Sequence, residues 1–206
     1  VGYTHSNLQL TAQILEDARA MKVKRFFYIS SCAIYGNASS TSEKDNFYQP
    51  LTLNGKFKML NEDLVWEFCN AHNIQSTSFR LFNLYGGIDR FSILSHLERC
   101  CRSNQVFQLR NNGQSRRDFI HVNDVAELIS KSLFQEYLPQ ALNLGTGKTV
   151  GISEVVSKFM EICPSLKLEM SSLSEVEYSR ADIRLLNEIF GDFKFRNILE
   201  DIPKLR

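Results

Sequence analysis

Apolar positions Leu8, Leu10, Ile14, Leu15, Ala18 and Met21 recur at helical spacing among good helix formers, and predict a helix over 7–21. The next run, Arg25-Phe-Phe-Tyr-Ile-Ser30, is nearly all apolar. It suits a strand of a parallel sheet covered on both faces. A polar loop with Gly36, Ser39, Ser40 and Pro50 follows. Residues 56–71 place Phe57, Leu60, Leu64, Val65 and Phe68 on one side of a second helix, and Ser76–Leu81 reads as the next strand. Helix, strand, helix, strand predicts an α/β layered fold with right-handed crossovers.

After Leu84-Tyr-Gly-Gly87 the elements shorten. A helix is expected over 91–101, a strand over 106–109, a turn at 111–113 and a strand over 118–122. Asn123 or Asp124 is the expected cap of a helix running to about Tyr137. Ala141-Leu-Asn-Leu144 reads as a strand ended by Gly145-Thr-Gly147, and Ser153 as the cap of a helix carrying Val155, Val156 and Phe159. A strand near 166–170 and a helix near 182–190 complete the pattern.

Composition narrows the function classes. The 206 residues, 43% of them hydrophobic, suffice for one large domain or one and a half small ones. A net charge of +1 with intermixed signs gives no reason to expect nucleic acid or an acidic membrane as partner. No apolar run is long enough to cross a bilayer, and Val1–Asn7 has no signal-peptide pattern. The five cysteines, Cys32, Cys69, Cys100, Cys101 and Cys163, are odd in number and irregular in spacing. Thiols in a reducing cytoplasm are therefore expected, and the glycosylation pattern at Asn37-Ala-Ser39 has no bearing there. The four histidines have no metal-ligand spacing, so no metal is expected. The chain opens on a helix pattern with no glycine-rich strand–turn–helix before it, which suggests a fragment or a missing start.

Four places could carry chemistry. Ser30-Ser-Cys-Ala-Ile-Tyr-Gly36 follows a strand at the edge where open α/β sheets bind ligands. Its serines either bond a ligand oxygen or cap a loop. Lys58 either faces the same pocket or, like Lys56, is a solvated helix residue. Arg80 and Asn83 follow the second strand and can hold polar ligand groups. Arg116 and Arg117 offer planar forks suited to a diphosphate; the other reading of Arg117 is an ion pair with Asp118 or Asp124. His121 reads as a satisfied core histidine, and Asn143-Leu-Gly-Thr-Gly147 as a tight turn, since it lacks the Gly-x-Gly-x-x-Gly spacing.

Taken together, these segments resemble the extended short-chain dehydrogenase/reductase group that acts on nucleotide sugars, the NAD-dependent epimerase/dehydratase family. The matching pieces are 30–36, 50–58 with Glu62, 80–86, 113–122 with Asp124, and 143–147, in the family's order and over nearly the whole chain. The resemblance implies the C-terminal part of a Rossmann-like parallel sheet with an interleaved smaller α/β substrate-binding domain. Residues 1–84 would be a partial Rossmann-like domain without its glycine-rich start. Residues 85–206 would be mainly substrate-binding, some elements returning to the first domain.

It also implies roles. Ser31 would bond the sugar's reacting oxygen. Lys58 would bond the nicotinamide ribose and lower the pKa of a catalytic tyrosine. Asn83 and Arg117 would contact the sugar nucleotide and its diphosphate, and Asn7 would be structural. The implied cofactor is NAD or NADP, the substrate a nucleotide sugar, and the state a homodimer through the helices at 7–21 and 56–71.

Departures from the pattern matter as much. The family's tyrosine stands four residues before the lysine, and here that place is Asn54. An amide has no usable proton-transfer equilibrium near neutral pH and cannot be the general base. Tyr35 and Tyr48 are near in sequence but at the wrong spacing. Cys32 and Ala33 replace the acids with which dehydratases of the group expel a hydroxyl, which favours epimerase or 4-ketoreductase. Tyr178-Ser-Arg-Ala-Asp182 resembles a shortened Arg-x-Gly-Asp clamp, which makes Arg180 a poor match. The glycine-rich cofactor loop is absent from the sequence. Two expectations follow: an epimerase or ketoreductase impaired by Asn54, or a non-catalytic member that binds or interacts.

Overall fold

The computed structural model describes residues 8–36, 38, 41–45, 48–173 and 175–204. Asn7, and the Asn37 and Ser39 of the glycosylation pattern, lie outside them. The elements run α1 (Leu10–Ala20), β1 (Arg25–Ser31), α2 (Leu53–Ala71), β2 (Gln75–Leu81), β3 (Asn83–Tyr85), α3 (Ile93–Ser103), β4 (Val106–Leu109) and β5 (Arg116–Arg117). Then come β6 (Phe119–His121), α4 (Val122–Ser132), β7 (Ala141–Leu144), β8 (Val150–Gly151), α5 (Ile152–Met160), β9 (Lys167–Met170), β10 (Tyr178–Ser179), α6 (Arg184–Phe190) and α7 (Ile198–Asp201).

The chain divides into two compact units, the first running through Leu81 with Gln135–Asn143, the second holding Phe82–Phe134 and the stretch from Leu144 on. In the first unit β1 and β2 pair in parallel, from Arg25 opposite Gln75 to Ser31 opposite Leu81, and the sheet order is β1-β2-β7. Leu15 of α1, Val65 and Cys69 of α2, and Ile74 form a buried cluster, against which Phe26, Tyr28 and Trp66 pack. Thr52 starts α2, its hydroxyl accepting from the Gly55 N–H at 3.1 Å.

In the second unit three small sheets, β10-β5-β8, β3-β6 and β4-β9, share a core around Leu97, Phe107, Val155 and Phe159. The architecture is the α/β, Rossmann-like one expected.

Several local expectations are corrected. Helix α4 starts at Val122, and its cap is His121, whose Nδ1 accepts from the Asn123 N–H at 3.0 Å; neither Asn123 nor Asp124 caps it. Asp124 is instead buried and ion-paired with Arg196. The helix stops at Ser132, short of Tyr137. Helix α5 is capped at Gly151, whose N–H donates to the Glu154 carboxylate at 3.1 Å, and Ser153 sits in its first turn. Cys101 and Cys163 are joined in a disulfide, against the expectation of five thiols. The end of α3 and the turn after α5 meet in the core, which their separation in sequence conceals.

Candidate functional site

In the first unit, Ser31 ends β1 in extended conformation, and its hydroxyl accepts from the Ala33 N–H at 3.2 Å. It thus caps the short 3-10 turn Cys32–Ile34. Accepting one bond leaves the hydroxyl proton able to donate, so capping and ligand binding are compatible. Ser30 is no cap: it is buried and its hydroxyl has no partner.

Lys58 lies on α2, one turn after Asn54, so the two share a helix face. Asn54 itself is exposed at the second position of the helix. The Lys58 ammonium donates to the Ile29 carbonyl at 2.6 Å and lies 4.9 Å above the centre of the Tyr28 ring. Burial pulls its pKa below the usual lysine range, and the nearby Glu62 opposes that. Lys58 is therefore no freely solvated surface residue.

Tyr28 and Tyr35 hold their protons tightly. Burial, then the charge of Glu62, pushes Tyr28 up to about 12. Burial also raises Tyr35, against the pull of Arg80. Tyr35 donates to Asn143 Oδ1 at 2.8 Å and accepts from Arg80 at 2.9 Å, and Tyr48 accepts from Arg80 at 2.9 Å. Both hydroxyls are thus tied to the Arg80 guanidinium.

Arg80 overturns the expectation that it holds a ligand. Its side chain is 0% exposed and bonds Glu62, itself 2% exposed, at 2.7 Å. Burial alone would lower its pKa, but Glu62 and Tyr35 more than offset that, so it stays charged.

The second unit contains a cleft of about 920 Å³, whose lining includes Asn83, Asp89, His96, Gln108, Arg117 and Glu175. The Asn83 amide donates to the Asp118 carbonyl at 2.9 Å. Arg117, its side chain 11% exposed, pairs with Glu175 at 3.3 Å. Both acids considered as its partner are engaged elsewhere, and nothing in the sequence singled out Glu175. Arg116 is exposed and binds Glu154 at 2.8 Å.

Asp118 explains the glycine-rich turn. Its buried carboxylate accepts from the Thr146 hydroxyl (2.7 Å), from the N–H groups of Thr146 and Gly147 (both 2.9 Å) and from the Ala181 N–H (3.1 Å). Burial raises its pKa, and these bonds resist the rise. With those N–H groups committed, the turn is a clasp on Asp118 and no phosphate cradle. His121 is half-buried, not the core residue expected: beyond its capping bond, its ring stands edge-on to Tyr85 at 5.0 Å. Arg180 is exposed, and Asp182 bonds Arg184 at 2.6 Å. Among the described residues no His/Cys/Asp/Glu group could hold a metal ion, and no helix is long and apolar enough to cross a membrane.

Residues 1–145 match the sequence profile of the NAD dependent epimerase/dehydratase family. Protein CapI of Staphylococcus aureus is 31% identical over 132 residues, 63% of this chain and 40% of that protein. Uncharacterized protein MJ1055 of Methanocaldococcus jannaschii is 24% identical over 196 residues, 92% of this chain and 60% of that protein. The chain thus spans less than two thirds of these relatives. Among solved structures, MoeE5 in complex with UDP-glucuronic acid and NAD superimposes with a TM-score of 0.86 at 26% identity, covering 98% of this chain and 70% of that one. UDP-glucuronic acid 4-epimerase from Bacillus cereus, with UDP-glucuronic acid and NAD, gives 0.88 at 20% identity, over 98% of this chain and 66% of that one.

Proposed function

This chain belongs to the NAD-dependent epimerase/dehydratase family, and on that premise we propose that it is the catalytic and substrate-binding part of a nucleotide-sugar epimerase or 4-ketoreductase, impaired by Asn54 in the place of the base. Residues 1–84 serve as the Rossmann-like part, and 85–206 mainly bind substrate. The observation that carries the reading is the placement of Lys58, its ammonium drawn to the Ile29 carbonyl at the end of the strand that delivers Ser31.

The residues present fit a dinucleotide in one respect. An ammonium has three donors, and the Ile29 carbonyl takes one, which leaves Lys58 able to bond ribose hydroxyls. NAD or NADP, when bound, would supply the hydride acceptor for epimerisation, and its reduced form the hydride donor for ketoreduction. This chain's residues do the rest. Ser31 donates to the sugar's reacting oxygen. Arg117 exchanges Glu175 for the diphosphate, and Asn83 contacts the sugar nucleotide. Asn54 bonds the sugar but takes no proton, which lowers turnover by roughly 10²–10⁴-fold against a tyrosine. Cys32 and Ala33 cannot expel a hydroxyl, so dehydration ranks below epimerisation.

A homodimer through α1 and α2 and a cytoplasmic location belong to the same proposal; the exposed Leu10, Ile14 and Leu60 support the first, and the Cys101–Cys163 bond counts against the second. Asn54 also favours a second reading, a family member that binds ligand without turning it over. Calorimetric titration of the full-length protein with NAD, NADP and a panel of nucleotide sugars tests the common ground of both. Saturable binding of a nucleotide sugar is expected. Absence of binding across the panel leaves a scaffold role as the better reading.

A further inference from the structure

We propose that Arg80 is a positioning residue, whose buried guanidinium sets where Ser31 and Lys58 stand relative to each other. Its consequence for ligand binding rests on the function proposed above; its structural consequence does not.

Arg80 lies on β2 opposite Ser30 of β1. Its Nε and Nη2 reach both carboxylate oxygens of Glu62, at 2.7–3.2 Å. Nη1 donates to the Tyr35 hydroxyl and Nη2 to the Tyr48 hydroxyl, each at 2.9 Å. Glu62 is one helical turn beyond Lys58 on α2. Tyr35 closes the 3-10 turn that Ser31 opens. One cation therefore joins the helix carrying Lys58 to the turn carrying Ser31.

The network reaches the loop leading to α2 as well. Tyr35 donates to Asn143 Oδ1, the Asn143 amide donates to the Thr41 carbonyl at 2.7 Å, and the Asn143 N–H donates to Glu43 at 2.8 Å. The guanidinium meets a carboxylate and two hydroxyls from three separate nitrogens; a lysine's three donors radiate from one nitrogen, which can keep the Glu62 pair but cannot stand at all three places. A fully buried ion pair is a weak source of net stability, so its value here lies in fixing geometry.

The test compares the full-length protein with Arg80→Lys and with a Tyr35→Phe/Tyr48→Phe double variant, which keeps the Arg80–Glu62 pair and hence the fold. Hydrogen exchange is followed at 32–36 and 41–45, with α5 as internal reference. Both variants should exchange at least roughly tenfold faster in those segments and at the parent rate in α5. Affinity for the nucleotide sugar should fall toward that for the free nucleotide, which is unchanged. Parent-like exchange at 32–36 and 41–45 in the double variant overturns the proposal. Faster exchange in a protein that binds no nucleotide sugar upholds the positioning role and defeats the functional reading.

Discussion

Gly55 approaches Ala33 so closely that a Cβ on the glycine would stand 2.5 Å from the Ala33 carbonyl oxygen. The first turn of α2, with Asn54, is therefore pressed onto the 3-10 turn that Ser31 caps. Glycine is needed here for space: its φ is not in the left-handed region. Gly55→Ala should cost about 1–3 kcal/mol through forced displacement of the helix start. Urea denaturation checks this; an unchanged midpoint would mean the contact is slack.

Arg117 provides a second prediction. Arg117 pairs with Glu175 in the lining of the cleft of the second unit, and on the function proposed above a diphosphate takes the carboxylate's place. Arg117→Ala should weaken a nucleoside diphosphate about 10- to 100-fold, the usual worth of charge-assisted bonds. The nucleoside itself should bind as before. Calorimetry with both ligands distinguishes loss of a phosphate contact from general damage to the cleft.

Asp118 predicts a pH dependence. Its carboxyl titrates above the ordinary range in the folded protein, so the folded state holds that proton more tightly than the unfolded chain. The resulting stability is complete below the ordinary carboxylate pKa and is lost as pH rises through the raised one. Asp118→Asn should remove this component. It should also cost about 1–3 kcal/mol, because the amide nitrogen must take the place of one oxygen and so faces either the Thr146 N–H or those of Gly147 and Ala181. Denaturation from pH 4 to 8 tests both points. A variant whose stability falls with pH as steeply as the parent's would contradict the assignment.

The disulfide has a direct readout. Alkylation of unreduced, denatured protein should label Cys32, Cys69 and Cys100 and spare Cys101 and Cys163, with all five labelled after reduction. Full labelling without reductant would show that the pair is not bonded.

What the sequence reveals here is mainly local. The periodicity at 56–71 locates α2 because burial of one helix face leaves its period in the chain, whereas the apolar run at 25–30 locates β1 by composition, although only Ser30 of that strand is fully buried. The pairing of Arg80 with Glu62 and of Arg117 with Glu175 is not visible that way, because the partners come from distant elements. Arg80 reads as a ligand group since a strand-end arginine looks the same whether it faces a pocket or a buried carboxylate. His121 hides its cap for a related reason: a ring nitrogen accepting a backbone N–H leaves no Ser, Thr, Asp or Asn signal. The Asp118 clasp shows only as glycines at 145 and 147; no spacing rule exposes the committed N–H groups, those of Thr146 and Gly147.

The most direct measurement is turnover of a nucleotide sugar by the full-length protein beside its Asn54→Tyr variant, with saturating NAD for epimerisation and saturating NADH or NADPH for reduction of a keto sugar, and both proteins shown to bind substrate. The variant should epimerise or reduce the sugar at least about 10²-fold faster, since the tyrosine restores a proton acceptor one turn from Lys58. Equal rates in two proteins that bind substrate equally well would contradict the assignment of Asn54 to the place of the base.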